Sequence, residues 1–480
     1  MIRGASRLIA PAVVSAVLAA CTMAPRYERP SAPVAAAYPD VAAAAAPTPS
    51  TADAAPAVEI GWREFFPDGR LQALIERALA NNRDLRVAAL NVEAARAQYR
   101  IQRADLVPRI DATGSATSQR IPTSLSTTGD SYVARDYSAA LGVTAFELDL
   151  FGRVRSLRRS ALEEYFSLDE TRQSAHLSLV AEVANAWLTL LADRDLLNLS
   201  RDTLKSQQSS LDLTRLRFNS GVQSELDVHQ AEIALRTAEV NIAAYTRRVA
   251  QDRNALALLV GEPLPADAVE GDGEGATVSQ VLTQELPAGL PADLLERRPD
   301  IRAAEHDLKA RNADIGAARA AFFPRISLTG SYGYAHSDLT GLFDSAQKAW
   351  SFAPQITVPI FSGGANLANL DLAQIRKRIG IARYEQAIQS AFREVADALA
   401  ARRTLADQLG AQEALAHAAS ETYRLSDMRY RGGVETYLNT LIAQRDLYGA
   451  QQALIDLRLA QVSNTVLLYK ALGGGWQERR

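Results

Sequence analysis

The sequence has a single cysteine and few residues of the kinds that build metal or redox sites. Cys21 is the only cysteine and the five histidines are scattered, so an intramolecular disulfide and zinc sites of several cysteines are excluded. The formal charge of -3, from 52 basic and 55 acidic residues, provides no large positive field for nucleic acid. No paired carboxylates or nucleophile–base set stand out. We therefore expect no enzyme, no metal site, no cofactor and no nucleic-acid partner.

The apolar run at the N terminus is too short to be an ordinary membrane-spanning helix. Arg3 and Arg7 precede an uncharged, mostly apolar stretch over residues 8–20, which is typical of a secretory signal. Residues 18–21 read LAAC and resemble the bacterial lipobox, in which cleavage precedes a cysteine that is then acylated. We expect Cys21 to carry an N-acyl group and an S-diacylglycerol, a firm tether. The alternative is a general signal peptide followed by an incidental thiol.

The chain contains an internal duplication. Residues 103–110 read RADLVPRI and residues 319–326 read RAAFFPRI, at an offset of 216. Residues 217–222, RFNSGV, match residues 429–434, RYRGGV, at an offset of 212. The matches keep their order over nearly the whole mature chain, which excludes chance similarity and predicts an internal two-fold structural repeat.

Each half predicts a helix, two strands joined by a loop, a very long helix, a tight turn and a returning helix. Residues 154–218 contain neither Pro nor Gly, and residues 365–430 contain only Gly380 and Gly410. Apolar residues recur every seven positions at Leu190, Leu197, Leu204 and Leu211, at Leu226, Ile233 and Val240, and at Leu441, Tyr448, Ile455, Val462 and Tyr469. This spacing predicts coiled coils. A soluble helical bundle is the alternative.

Two segments of the second half alternate between apolar and small polar residues, over residues 326–334 and 350–360. This alternation is typical of transmembrane barrel strands with a wet lumen, although strands of soluble sandwiches alternate too. The positions expected to face lipid are Tyr332, Tyr334, Trp350, Phe352, Ile356 and Val358. The alternation is weaker in the first half, where residues 137, 139, 141, 143 and 145 share one face. Pro354 and Pro359 confine the last strand to an edge or a break.

Two strands per half give four per chain, and four strands cannot close a barrel. An unpaired backbone group in hydrocarbon costs several kcal/mol, so open edges are not tolerated there. The chain must therefore oligomerise. Three copies give twelve strands, within the size range of known barrels, whereas two give eight with a filled interior. The predicted fold is mainly α with a transmembrane β-barrel, joined to a long helical barrel.

These features resemble the TolC superfamily of outer-membrane efflux proteins, and most closely its OprM-like, NodT-type lipoprotein branch. The motifs are CTMAP at residues 21–25, YERP at 27–30, WREFF at 62–66, ERRPDI at 296–301 and LYKALGGGW at 468–476. The resemblance implies a homotrimer with a 12-stranded barrel in the outer membrane, a periplasmic α-helical barrel and an equatorial belt. It also implies a periplasmic adaptor and an inner-membrane pump, usually of the resistance-nodulation-division type.

On this basis we predict a passive conduit that exports drugs or other small toxic compounds from the periplasm. The alternatives are a metal-ion efflux or type I secretion duct of the same fold, or a coiled-coil envelope lipoprotein without a pore. The predicted segments are a signal peptide (1–20), an anchored arm and equatorial segment (21–69), a first repeat (70–262), an equatorial linker (263–292), a second repeat (293–472) and a tail (473–480). The Ala- and Pro-rich residues 24–56 predict an extended arm lying on other elements.

The resemblance makes the turns between the long helices the periplasmic mouth and the adaptor-docking surface. Gly221 and Gly433 suit these turns, because glycine adopts left-handed conformations without steric cost. A plain helix–helix turn is the alternative. The residues expected to contact the adaptor are Arg217, Phe218, Gly221, Val222, Arg429, Tyr430, Gly433 and Val434.

The resemblance also implies a gate just beyond these turns. Asp227 falls where the family often carries an acid facing the lumen, and three copies would repel one another and could bind cations. The alternative is an Asp on a solvated helix face. The second-half counterpart is Asn439, and Ile442 stands where relatives usually have Asp. We therefore expect a constriction of Leu438 and Ile442, closed by apolar contact and dewetting.

Overall fold

A computed structural model of the chain describes residues 22–38, 60–127, 129–265 and 297–474. The predicted signal peptide, the lipid-attachment residue Cys21, most of the predicted linker and the tail from residue 475 lie outside these ranges.

The two halves contain corresponding series of helices. In the first half these are α1 (Trp62–Phe65), α2 (Gly69–Asn81), α3 (Arg83–Ala104), α4 (Arg153–Asn219) and α5 (Glu225–Val260). In the second half they are α6 (Pro299–Ala320), α7 (Ala365–Arg431) and α8 (Tyr437–Ala471). The predicted long helices are confirmed, since α4 and α7 have 67 residues each. By length and hydropathy α4 could cross a membrane, but 61% of its apolar window is buried, as in a core helix.

Four strands form one antiparallel sheet in the order β1-β2-β3-β4. They are β1 (Ile110–Ile121), β2 (Tyr132–Leu148), β3 (Arg325–His336) and β4 (Lys348–Thr357), and short 3-10 turns lie at Thr123–Leu125, Leu339–Gly341 and Ser345–Gln347. The halves meet where β2 pairs with β3. Within this sheet β1 and β4 are the edges, so the prediction that Pro354 lies on an edge strand is confirmed.

Two details of the predicted strands are wrong. Ala145 does not continue the face of Tyr137, because a β-bulge between Val143 and Phe146 interrupts the alternation and Ala145 has φ +51°. Val358 is not a strand residue, because β4 ends at Thr357, two residues before Pro359. Proline has no N–H to donate to the ladder, which accounts for the early end of the strand.

The chain divides into two compact units, each built from parts of both halves. One comprises Met1–Ser31, Asn91–Asp169 and Ala303–Glu385, and so contains the sheet. The other comprises Ala32–Leu90, Glu170–Arg302 and Gln386–Arg480, and contains most of each long helix pair. The predicted bounds of the sequence repeats remain predictions, since these units do not follow them.

In the first unit the N-terminal arm lies along α6. Arg319 donates to the carbonyl of Met23 at 3.2 Å, and Asn312 donates to the carbonyl of Pro25 at 2.7 Å. Further along the arm, Arg29 and Tyr27 form a clamp on the buried Glu305 carboxylate, which accepts two hydrogen bonds from Arg29, at 3.0 and 2.9 Å, and one from Tyr27 at 3.1 Å. Residues 23–29 therefore lie on α6, and the predicted extent of the arm over residues 24–56 stays a prediction.

The Glu305 clamp is charged at neutral pH. Burial alone would raise the pKa of Glu305, but the hydrogen bond from Arg29 and the charges of Lys309 and Arg29 bring that pKa below its ordinary value. The same clamp, mainly through burial, raises the pKa of Tyr27. The arm is thus held by an ionised carboxylate rather than by apolar packing alone.

In the second unit the sequence repeat is visible in individual hydrogen bonds. The Asn82 side chain donates to the carbonyl of Leu259, and Arg298 donates to the carbonyl of Ala471, both at 2.9 Å. The donors are 216 positions apart and the acceptors 212, the same offsets as in the sequence. The start of each repeat is therefore tied to the end of its own returning helix by the same contact.

Candidate functional site

Each long helix pair ends in a turn with the same backbone geometry. We call α4 and α5 hairpin 1, and α7 and α8 hairpin 2. Gly221 has φ +73° and Gly433 has φ +74°, which confirms the prediction of glycine turns. The N–H of the next residue, Val222 or Val434, donates to the carbonyl five residues earlier, at 2.9 Å in hairpin 1 and 3.0 Å in hairpin 2. This is the Schellman arrangement that ends many helices.

The side chains at the two tips differ in exposure. Val222 is 73% exposed and Val434 is 72% exposed, and Phe218 is also exposed. The repeat counterpart of Phe218 is Tyr430, which is only 2% exposed. It belongs to a buried cluster with Leu211, Ala231, Leu235 and Tyr437. The prediction that Tyr430 contacts a partner at the surface is therefore wrong, because its ring is part of the core.

Arg217 joins the two hairpins. Its guanidinium carbon lies 4.4 Å from the centre of the Tyr430 ring. Its nitrogens donate to the carbonyls of Tyr430 at 3.1 Å and Arg431 at 3.2 Å, at the C-terminal end of α7. A cation there adds donors to the terminal carbonyls and opposes the helix dipole. Its counterpart Arg429 pairs instead with Glu435 of its own hairpin at 2.9 Å. Arg217 was predicted as an adaptor contact, and the structure gives it a clamping role.

A ladder of hydroxyl groups continues this contact along the helices. Its three pairs are Ser200–Tyr448, Ser206–Tyr423 and Thr214–Tyr430, with oxygen–oxygen distances of 2.8, 3.0 and 3.2 Å. Ser200 and Thr214 are fully buried. Sequence reasoning missed this ladder. The available signal was the presence of small polar residues among the heptad leucines of α4.

The predicted gate residues lie at the start of α5 and of α8. The Asp227 carboxylate accepts from the N–H and the hydroxyl of Ser224, at 3.2 and 2.8 Å, and completes a capping box. Capping alone explains an acid at this position, and an acidic ring stays a prediction. Asn439 donates to the Glu435 carboxylate at 2.9 Å. Leu438 and Ile442 are both exposed, which leaves them available for an apolar constriction.

One face of the sheet is apolar and open. Leu141, Tyr332 and Trp350 are opposite one another on three neighbouring strands, and all three are exposed. Phe352 and Ile356 extend the same exposed face along β4. Tyr334 is half-buried, and its ring lies 5.7 Å from that of Phe343 in the following loop.

The opposite face carries hydroxyl groups. Ser115 and Ser138 hydrogen bond across β1 and β2 at 2.7 Å, and Ser331 and Ser351 do so across β3 and β4 at 2.7 Å. A sheet with one apolar face and one hydroxyl face fits a barrel wall between lipid and water.

Acidic residues lie close together where α4 packs on α5. Burial, the negative charge of Asp193 and a hydrogen bond with it raise the pKa of Asp252 to about 6, against the opposing charge of Arg248. Within the described ranges, no group of three or more His, Cys, Asp or Glu residues is arranged to hold a metal ion.

Comparisons with known proteins agree with this geometry. The family described as outer membrane efflux protein matches residues 74–262 and 290–474. The toluene efflux pump outer membrane protein TtgC of Pseudomonas putida is 52% identical over 475 residues, 98% of this chain and 96% of that protein. The antibiotic efflux pump outer membrane protein ArpC of Pseudomonas putida is 52% identical over the same lengths.

Among solved structures, the open-state MtrE outer membrane channel of Neisseria gonorrhoeae superposes with a TM-score of 0.86 at 41% identity. The match covers 95% of this chain and 99% of that one. The fold is therefore that of TolC-type outer-membrane channels, an α-helical barrel with a β-domain. The chain belongs to the outer membrane efflux protein family and is the outer-membrane component of an efflux system.

Proposed function

We propose that three copies of this chain form a passive efflux conduit. The observation that carries the proposal is the four-stranded sheet, which has two edges and is apolar on one face only. Pairing β1 of one copy with β4 of the next satisfies both edges, and three copies give twelve strands. The apolar face then meets lipid and the serine face lines the lumen.

The long helices support the same assembly. The heptad residues Leu226, Ile233 and Val240 on α5 are 64%, 67% and 67% exposed in the single chain. By contrast Leu190, Leu197 and Leu211 on α4 are buried. A regular apolar stripe left open along one helix is typical of a surface that another copy covers. Neighbouring copies would thus continue the sheet as a helical barrel.

The tips are the proposed contact with a periplasmic adaptor, which would link the channel to an inner-membrane pump of the resistance-nodulation-division type. Val222 and Val434 support this, since they are exposed apolar side chains at two hairpin tips with the same turn geometry. Relatives named for toluene and antibiotic efflux support a cargo of small apolar or amphiphilic compounds. Anchoring through a diacylglycerol-modified Cys21 completes the proposal.

The proposed gate has an apolar constriction and a polar clamp. Leu438 and Ile442 close the passage, and Arg217 together with the hydroxyl ladder keeps hairpin 2 against hairpin 1. Hydrogen bonds can be exchanged for bonds to water, so this contact can open at modest net cost.

Single-channel conductance in planar lipid bilayers tests the proposal. We expect the purified protein to conduct weakly at rest, and Arg217→Ala and Leu438→Gly to conduct more. Arg236→Ala is the matched control, because Arg236 is exposed and pairs with Glu239 of its own helix. Three-fold particles without conductance in any variant would favour an envelope brace instead of a conduit. An unchanged value for Leu438→Gly would remove this residue from the gate.

A further inference from the structure

A cavity of about 260 Å³ lies among α4, α5 and α8. Its apolar wall includes Ile233 and Ala234 from α5 and Leu438 and Ile442 from α8. A cavity of about 150 Å³ accepts benzene, so this one has room for two fused rings. The volume and the wall fit a small apolar body.

Polar groups in the wall make the cavity more specific than an apolar gap. Gln207 and Gln230 also line it. Gln207 is 5% exposed, and the side-chain oxygens of both residues are buried and find no hydrogen-bond donor in the described part of the chain. A buried acceptor without a donor carries an uncompensated desolvation cost. A ligand with an N–H or O–H group would recover it, since rotation about the last side-chain bond turns the amide easily.

We propose that this cavity binds a small amphiphilic molecule with an apolar body and one N–H or O–H donor, of the size and chemistry of an aromatic amine. The two glutamine oxygens accept from the donor, and the aliphatic side chains contact the rings in a cavity that is half-open in the single chain. The bound molecule touches α5 of hairpin 1 and α8 of hairpin 2 at once. Binding therefore stabilises the present spacing of the hairpins, whatever passes through the channel.

Binding of 1-aminonaphthalene to the purified full-length protein in detergent tests the proposal, with its fluorescence as the readout. We expect saturable binding, and about fivefold weaker competition by naphthalene, which lacks the donor. Gln207→Leu should abolish this preference for the amine. Gln208→Leu is the matched control, because Gln208 is the exposed neighbour and bonds to Asp212 of its own helix. It should retain the preference.

Ala234→Phe fills the cavity. The fluorescence that remains with this variant measures the background from probe dissolved in the detergent. We expect it to abolish saturable binding of both probes without lowering the melting temperature. Wild-type signal no greater than that of Ala234→Phe would overturn the proposal, for instance because a neighbouring copy fills the cavity. An equal preference in Gln207→Leu and Gln208→Leu would also overturn it. The readout is binding of the probe rather than conductance, so a failure of this proposal does not decide whether the protein conducts.

Discussion

Single residues decide how the two hairpins meet. Arg217 and Arg429 occupy equivalent positions, yet one reaches the end of α7 and the other pairs within its own hairpin. Phe218 and Tyr430 differ in the same way, one exposed and one buried. The sequence pattern predicts which residues stand at the tips. It does not predict which of two equivalent residues in the two repeats is buried. That outcome depends on the packing of four helices rather than on local spacing.

The carboxyl pair of Asp193 and Asp252 predicts a pH dependence of stability. The pKa of Asp252 is raised from an ordinary value near 3.8 to about 6, so folding favours the protonated form. Its contribution to the free energy of unfolding is complete below about pH 4 and is lost as the pH rises through 6. Asp252→Asn keeps the site neutral. We expect the variant to exceed the wild type by about 1 kcal/mol at pH 8, after allowance for solvent screening.

Unfolding in denaturant at pH 4 and at pH 8 measures this difference. Asp202→Asn serves as the control, because Asp202 is exposed on α4 and forms an ion pair with Lys205 of its own helix. It should follow the wild type at both pH values. Parallel pH profiles for Asp252→Asn and the wild type would show that the carboxyl pair is not strained at neutral pH.

At the scale of elements, the long helices and the strands could be predicted closely. The absence of Pro and Gly predicts α4, and the period-two alternation predicts β3. Three features could not be predicted from the sequence pattern. The bulge at Ala145 depends on pairing with β3, the hydroxyl ladder depends on helix packing, and the exposure of the α5 heptad residues depends on which helices of the chain contact that face. Each feature depends on contacts with other segments, so the sequence of one segment alone does not predict it.

The end of α5 provides a test at this scale. Gly261 has φ +79°, and a side chain there would clash with the carbonyl of Asn81. Gly261→Ala should therefore destabilise the protein by about 2 kcal/mol or more, from left-handed strain and the clash. Gly410→Ala is the control, since Gly410 lies inside α7 with open space around its Cα. It should stabilise by about 0.5–1 kcal/mol. Thermal melting of both variants checks this, and equal effects would contradict the turn geometry.

At the scale of the whole molecule, the described part of the single chain leaves two kinds of surface open. Its sheet has two open edges, and α5 has an open apolar stripe. Family membership is shown by sequence and by structure. The proposed arrangement of copies rests instead on the need of backbone groups in hydrocarbon for hydrogen-bond partners.

Disulfide cross-linking between the sheet edges tests most directly whether β1 of one copy pairs with β4 of the next. One cysteine is placed at Thr113 in β1 and a second, in turn, at Ser351, Ala353 or Gln355 in β4. Within one chain the edges are three strand spacings apart, about 14 Å, too far for a disulfide. We predict covalent trimers on a non-reducing gel for at least one pair in membranes. Monomers alone, at every position, would contradict the closure of the barrel by neighbouring copies.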